Sequence, residues 1–247
     1  MKIIPLSEGS FSIDQTKQFV PFNKENDDIQ QRPTGSLLVE VQPFVVITSE
    51  DILLLDAGLG FATENGVLQL HKNLMDNGIN PSEITKVLMS HLHKDHAGGV
   101  SQKNETTGER TLSFPNATYY VQRAEMDFAF SKGLPSFIPE ELAPLQQAPN
   151  VQILEGDGVL NGYIKYEITG GHSPYHQVFT IVDGGETVFF GGDEAPQLGQ
   201  MKKKYIAKYD YDGKKAMELR QEWWEKGQEA GWHFLFYHDV KTPVWGG

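Results

Sequence analysis

The chain is expected to fold as one α/β domain over residues 1–247, and three features point that way. Short apolar runs bounded by Gly, Pro, Asn or Asp recur along its length, as buried strands do. Between them lie stretches of helical period. Apolar residues make up 39% and charged residues 22%, ordinary values for a soluble globular chain, which sets aside disordered and collagen-like classes. A chain of 247 residues can bury a substantial core without a second unit.

Taken in order, residues 2–6 and 10–14 read as short strands, and Phe19-Val20-Pro21-Phe22 as part of a following loop. Residues 36–49 and 51–56 alternate or run apolar around the turn Ser49-Glu50-Asp51, which suggests paired strands, the second ending in Asp56-Ala57-Gly58. Residues 66–77 carry Val67, Leu68, Leu70, Leu74 and Met75 at helical spacing, and Asn77-Gly78 stops them. His71 lies inside that pattern and reads as structural. Val87-Leu88-Met89 is a buried strand, 102–110 a polar loop, 118–121 a strand and 123–131 a short helix. Four prolines exclude one regular element over 132–150, so that stretch reads as a lid or a long packed loop. Strands are expected at 151–154, 163–168, 178–182 and 187–190, with a hairpin turn at Asp183-Gly184-Gly185-Glu186. The longest helix falls at 214–230 and a closing strand at 232–237.

A formal net charge of -12 opposes binding of nucleic acid, and Lys202-Lys203-Lys204 with Lys208 reads as a solvated loop. With no cysteine there is no disulfide, no zinc knuckle and no thiol nucleophile, so metal ligands must be His, Asp, Glu or water. No run approaches a membrane span or a signal-peptide core, and a cytoplasmic location is expected.

The chemistry concentrates in Ser90-His91-Leu92-His93-Lys94-Asp95-His96. If the strand before it continues through His93, alternation sends His91 and His93 to one face with Cα atoms roughly 6.6 Å apart. Asp95 and His96 then lie on the following turn and address a second point. Four such side chains leaving a buried strand are costly unless something pairs with them, and imidazole with carboxylate suits zinc, manganese, iron or nickel. Three further strand ends carry the same chemistry: Gly170-Gly171-His172, Gly191-Gly192-Asp193 and His238-Asp239. His91, His93, Asp95, His96, His172, Asp193 and His238 exceed the needs of one tetrahedral ion, whereas two ions sharing a carboxylate would use them all.

This order of motifs resembles the metallo-β-lactamase superfamily of binuclear hydrolases, over residues 37–238. The resemblance implies a four-layer αββα sandwich and two divalent ions, zinc first, with manganese or iron as alternatives. His91, His93 and His172 would hold one ion and Asp95, His96 and His238 the other, with Asp193 bridging. Asp56 would support these ligands from behind, and His176 reads equally as a support or a structural residue. The absence of cysteine excludes cysteine-liganded β-lactamases, and His93 stands where flavodiiron proteins carry glutamate. A glyoxalase II would need a helical domain after the last ligand, and acidity disfavours ribonuclease Z relatives.

Gly170-Gly171-His172-Ser173-Pro174-Tyr175-His176-Gln177 and Phe236-Tyr237-His238-Asp239 resemble the branch of N-acyl homoserine lactone lactonases and methyl parathion hydrolase-type phosphotriesterases. The lactonase pattern has a tyrosine soon after the bridging aspartate. Here Glu194-Ala195-Pro196-Gln197 follows, leaving Tyr175, Tyr205 or Tyr209 as substitutes. The expected reaction is attack of a metal-bridging hydroxide on a lactone or carboxylic ester, with Asp95 carrying a proton to the leaving group. The partner is then a small molecule with a hydrophobic tail, met by rim residues such as Phe19, Phe22, Phe128, Phe137 and Ile138. A phosphotriesterase, a mononuclear iron persulfide dioxygenase and a silent metal-binding scaffold are the alternatives.

Overall fold

Two six-stranded sheets pack face to face in the computed structural model, which describes residues 1–246. The first runs, in spatial order, Lys2–Pro5, Phe44–Ile47, Ile52–Leu55, Lys86–Leu88, Thr118–Gln122 and Val151–Leu154. The second runs Gly158–Leu160, Ile164–Ile168, Gln177–Asp183, Glu186–Phe190, His233–Leu235 and Val244–Trp245. Parallel neighbours need long crossovers, and helices supply them. Gln69–Asp76 joins the parallel strands Ile52–Leu55 and Lys86–Leu88, and Gly213–Ala230 joins Glu186–Phe190 to His233–Leu235.

The period of two decides which side chains fill which layer. Phe44, Val46, Leu53, Leu55 and Leu88 of the first sheet meet Phe179, Ile181, Val188, Phe190 and Leu235 of the second in one buried cluster. Their neighbours Val45, Leu54 and Val87 turn the other way, under Leu70, Leu74, Met126 and Leu142 of the outer helices. Val178, Phe189 and Phe234 do the same on the second sheet, against Trp223 of the long helix. The result is an αββα sandwich, as expected. The long helix is capped by Asp212, which accepts from Lys215 N at 3.0 Å, and ends at Gly231 with φ 67, which a residue without Cβ adopts freely. Truncating Phe179 at the sheet interface to Ala should cost about 3–5 kcal/mol.

Several elements depart from the sequence reading. Val20–Phe22 is a strand, an edge partner of Gly9–Ile13, where Pro21 costs no central ladder bond. The run 36–49 breaks at Gln42-Pro43: Leu37–Val41 pairs with Gly9–Ile13, while Phe44–Ile47 enters the first sheet. The polar loop is flanked by a short hairpin, Ser101–Lys103 with Arg110–Leu112. Within 132–150, Pro139–Gln147 is a helix, with Pro139 in its first turn where no amide donor is needed and Pro144 inside it. Gly158–Leu160 and Val244–Trp245 are further strands, paired at the two edges of the second sheet. The central strand stops at Leu88, so His91 and His93 lie beyond it in the loop rather than on an extended strand. Among the described residues, no helix is long and apolar enough to cross a membrane.

Candidate metal centre

Parallel strands end together, and here their C-terminal ends deliver the polar residues to one edge of the sandwich. Asp56 follows Ile52–Leu55, and Ser90 to His96 follow Lys86–Leu88. Gly191-Gly192-Asp193 follows Glu186–Phe190, and His238 follows His233–Leu235. His93 caps a single helical turn, Lys94–Ala97, that presents Asp95 and His96. This turn, rather than strand alternation, separates the two pairs.

The donor atoms form two groups. His91 Nε2 and His172 Nε2 lie 2.9 and 3.1 Å from His93 Nδ1, and His172 Nε2 is 3.2 Å from Asp193 Oδ2. Asp193 Oδ1 lies 3.2 Å from His96 Nε2 and 2.9 Å from His238 Nε2, and Asp95 Oδ2 completes that group at 3.4 Å from His238 Nε2. The two oxygens of Asp193 thus face different clusters.

What stands behind the rings decides which nitrogen faces inward. His96 Nδ1 donates to Asp56 at 2.7 Å, His172 Nδ1 to Asp210 at 3.0 Å, and His238 Nδ1 to the Glu40 carbonyl at 2.6 Å. His91 Nδ1 meets Ser90 Oγ at 3.0 Å, and that hydroxyl donates to Asp56 Oδ2 at 2.7 Å. Each of these rings therefore aims an Nε2 lone pair at the centre. Lone pairs this close repel unless a cation sits among them, and His96 Nε2 and Asp193 Oδ1 are buried without a hydrogen-bond partner. The donor set fits two metal ions sharing one carboxylate.

The titration behaviour tells the same story. Burial, then the neighbouring imidazoles, push His91 well below its usual pKa, and burial followed by His172 takes His93 to about 3. Burial opposes charge on His238 as well, but Asp193 and Asp95 outweigh it and lift the ring to about 10. Burial alone would raise Asp193, yet His238, His96 and His172 hold it well below the carboxylate range. His91 and His93 are therefore neutral donors, whereas His172, His96 and His238, lying against Asp193, are drawn toward the charged form.

Asp56 is fully buried at φ 56, a costly left-handed conformation, with both oxygens engaged by Ser90 and His96. His176 is buried too, its Nε2 accepting from Asp193 N at 3.2 Å, so it props the shared carboxylate's backbone. Gly192 stands between them at φ 49; a Cβ there would meet Ser90 Oγ at 2.7 Å and His176 Nε2 at 2.8 Å.

Sequence reasoning missed four supports. Glu125 accepts from Leu92 N at 3.0 Å and Ser173 Oγ at 3.1 Å, tying the His91/His93 loop to the His172 loop. Glu194 accepts from His172 N at 2.7 Å. Asp210 orients the His172 ring, and Arg220, buried on the long helix, holds the surrounding chain through the Glu194 and Tyr205 carbonyls. An acidic residue on the inner face of a helix, as Glu125 is, was the one available signal; Asp210 sits in a polar loop with none.

A cleft of about 390 Å³ opens over His93 and His172, walled by Phe128, Phe137, Pro135 and Leu134. Phe137 packs against the His93 ring at 4.9 Å. The segment Lys132–Phe137 thus lines the cleft, and Lys94 N donates to Ser136 O, binding it to the metal loop. Of the three candidate tyrosines, Tyr209 lines the cleft, 6.0 Å from the His172 ring, and its hydroxyl accepts from Gln200 at 3.0 Å. Tyr175 instead packs on Phe128, and Tyr205 contributes its carbonyl to Arg220. Phe19 packs against Phe11 at the edge of the inter-sheet core rather than lining the cleft. Phe22 and Ile138 are half-buried and lie outside the cleft lining.

The sequence pattern described as the Metallo-beta-lactamase superfamily matches residues 39–238. An N-acyl homoserine lactonase, AttM, of Agrobacterium fabrum is 30% identical over 115 residues, which are 42% of this chain and 38% of that protein. The N-acyl homoserine lactonase of Bacillus cereus is 32% identical over 104 residues, 42% of this chain and 35% of its own. The matched stretches thus span well under half the length of these relatives. Among solved structures, a probable metal-dependent hydrolase from Staphylococcus aureus superposes with a TM-score of 0.77 at 21% identity, covering 99% of this chain and 91% of that one. AidC, a dizinc quorum-quenching lactonase, gives 0.72 at 21% identity over 98% and 88% of the two chains. At such identities the likeness shows the fold.

Proposed function

The chain belongs to the metallo-beta-lactamase superfamily, and from that premise we propose that it is a metal-dependent hydrolase acting on a small lactone or carboxylic ester. The observation that carries the reading is the position of Asp193, whose two oxygens face two separate donor groups. His91, His93 and His172 would hold one divalent ion and Asp95, His96 and His238 the other, zinc first, with manganese or iron as alternatives. When bound, such ions polarise an ester carbonyl and lower the pKa of a water toward about 7.

The chain's own residues do the rest. The apolar walls at Phe128, Phe137 and Leu134 exclude water from the body of the substrate and leave its polar group facing His93 and His172. Tyr209 lines the same cleft and can donate its hydroxyl hydrogen to a substrate oxygen, which makes it the candidate to substitute for the tyrosine missing after Asp193. Burial works against the Asp95 charge, but His96 and His238 bring its pKa down to about 2, so the carboxylate is ionised at neutral pH. It stands ready to receive a proton and pass it to the departing alkoxide. A formal net charge of -12 disfavours nucleic acid as substrate, and a small molecule in the cytoplasm is the reading we adopt.

The test is kcat/KM for acyl homoserine lactones, aryl esters, aryl phosphotriesters and a chromogenic cephalosporin, each with zinc, manganese and iron forms. Lactone or ester should lead, with triesters weaker and the cephalosporin slow or inert. Efficient cephalosporin cleavage without ester or lactone turnover would reject the assignment, and triester preference would make the protein a phosphotriesterase.

A further inference from the structure

The cleft differs from the rest of the surface in charge. Its lining includes Lys17 and Lys132 and no aspartate or glutamate, on a chain whose formal net charge is -12. Among the described residues the lysine side chains in ion pairs are Lys24, Lys72, Lys86, Lys165 and Lys214. Lys17 and Lys132 thus stand outside these ion pairs, brought to one cleft from two distant segments of the chain.

Each is held where it is by its own surroundings. Lys132 ends the helix Arg123–Lys132, with its ammonium 5.4 Å from the Phe128 ring centre, on the wall itself. Lys17 follows a turn in which Asp14 accepts from Thr16 N at 2.9 Å and Thr16 Oγ1 at 2.6 Å, so the nearest carboxylate in sequence is already engaged. Beside the two lysines the lining is made of Phe128, Leu134, Pro135 and Phe137, with Ser136 and Ser173, and includes the His93 and His172 rings.

A cleft lined by apolar side chains and two unpaired lysines, with none of the chain's many acids, discriminates by charge. We propose that the substrate is an anionic ester or lactone, whose apolar body lies against Phe128 and Phe137 and whose carboxylate or other negative group is received by Lys17 and Lys132. The proposal deepens the ester-hydrolase reading and rests on it for the reaction, but the recognition stands on the cleft alone. In this arrangement the negative outer surface repels anions generally, and the cleft is where one is admitted. Lys17 and Lys132 are specificity determinants.

A matched pair of esters tests this. Nitrophenyl hexanoate is neutral, and the mono-nitrophenyl ester of adipic acid has the same chain length with a terminal carboxylate. The anionic ester should be preferred in kcat/KM by about tenfold or more, the low end of what a cleft of one sign contributes. The ratio should fall toward unity at about 1 M salt, where screening acts over about 3 Å. It should do the same in the double variant Lys17→Ala, Lys132→Ala, and invert in Lys132→Glu. Calorimetry on the metal-free protein supplies a second readout, comparing adipic acid mono-anilide with hexananilide, neither of which turns over. Equal handling of both esters, or a preference indifferent to the lysines, overturns the proposal. Loss of all ester and lactone hydrolysis with the anilide preference intact would reject the ester-hydrolase reading and leave anion recognition in place.

Discussion

Replacing Glu125 with Ala removes a buried side chain that joins the two loops carrying His91, His93 and His172. Its two oxygens take the Leu92 amide at 3.0 Å and the Ser173 hydroxyl at 3.1 Å, and both partners are buried, 0% and 2% exposed. A buried donor left unpaired costs about 1–3 kcal/mol, so two such groups cost about 2–6 kcal/mol. Against a total of about 5–15 kcal/mol for an ordinary domain, that is a large loss. Support of this kind behind metal ligands is also worth about 10–100-fold in affinity, so zinc should bind correspondingly more weakly. Glu125→Gln keeps one acceptor oxygen and removes a carboxyl that burial lifts to about 7, so it should lose less than Glu125→Ala. Urea unfolding followed by circular dichroism gives the first quantity, and zinc competition against a chromophoric chelator gives the second. An Ala variant within about 0.5 kcal/mol of the parent, the range of an ordinary surface change, with unaltered zinc affinity would refute the clamp.

Asp193→Ala should weaken both metal sites together, whereas His238→Ala should release chiefly the ion held with Asp95 and His96; equilibrium dialysis with elemental analysis separates the two patterns. Asp210→Asn leaves the shape but weakens the acceptor behind His172 Nδ1, and should cost about 10–100-fold in affinity at the three-histidine site, read by the same chelator competition. Glu8 is enclosed beside Gly58 and Leu59, where burial lifts its carboxyl from 4.5 to about 7 although the Leu59 amide pulls it down. A raised acid favours folding below its unfolded pKa and loses that contribution as pH rises through the folded value. Each tenfold change in proton affinity is worth about 1.4 kcal/mol, so Glu8→Gln should gain roughly 3 kcal/mol relative to the parent between pH 4.5 and pH 8, measured by urea unfolding at both ends; a constant difference would be the contrary result.

The residues of the two donor groups were legible because each sits in the dense run His91 to His96, beside glycine after a strand, or, as His238 does, directly beyond an apolar strand, where local pattern and topology coincide. The αββα arrangement was implied by the family resemblance that those motifs carry, which local periodicity alone does not supply. What escaped was nonlocal. Asp210 meets His172 next to Arg220, fully buried 10 positions further on in the long helix, whose guanidinium lies 3.9 Å from the Asp210 carboxylate and holds the Tyr205 carbonyl before it. Glu125 looks like an ordinary helix-surface acid until the fold places Leu92 and Ser173 against it. Val20–Phe22 was hidden by Pro21, a strand breaker everywhere except at an edge, and the Pro139–Gln147 helix by Pro139, which a first turn tolerates, and by Pro144 inside it. His91 and His93 converge through the loop and the one-turn helix, so the pairing expected from strand alternation holds through a different local geometry.

Zinc titrated into the metal-free protein, followed by calorimetry and by elemental analysis after dialysis, tests the shared role of Asp193 most directly. Two ions per chain are expected in the parent, with both sites weakened in Asp193→Ala. A stoichiometry of one that persists under zinc or manganese supplementation, or two tight ions retained by the Asp193→Ala variant, would contradict it.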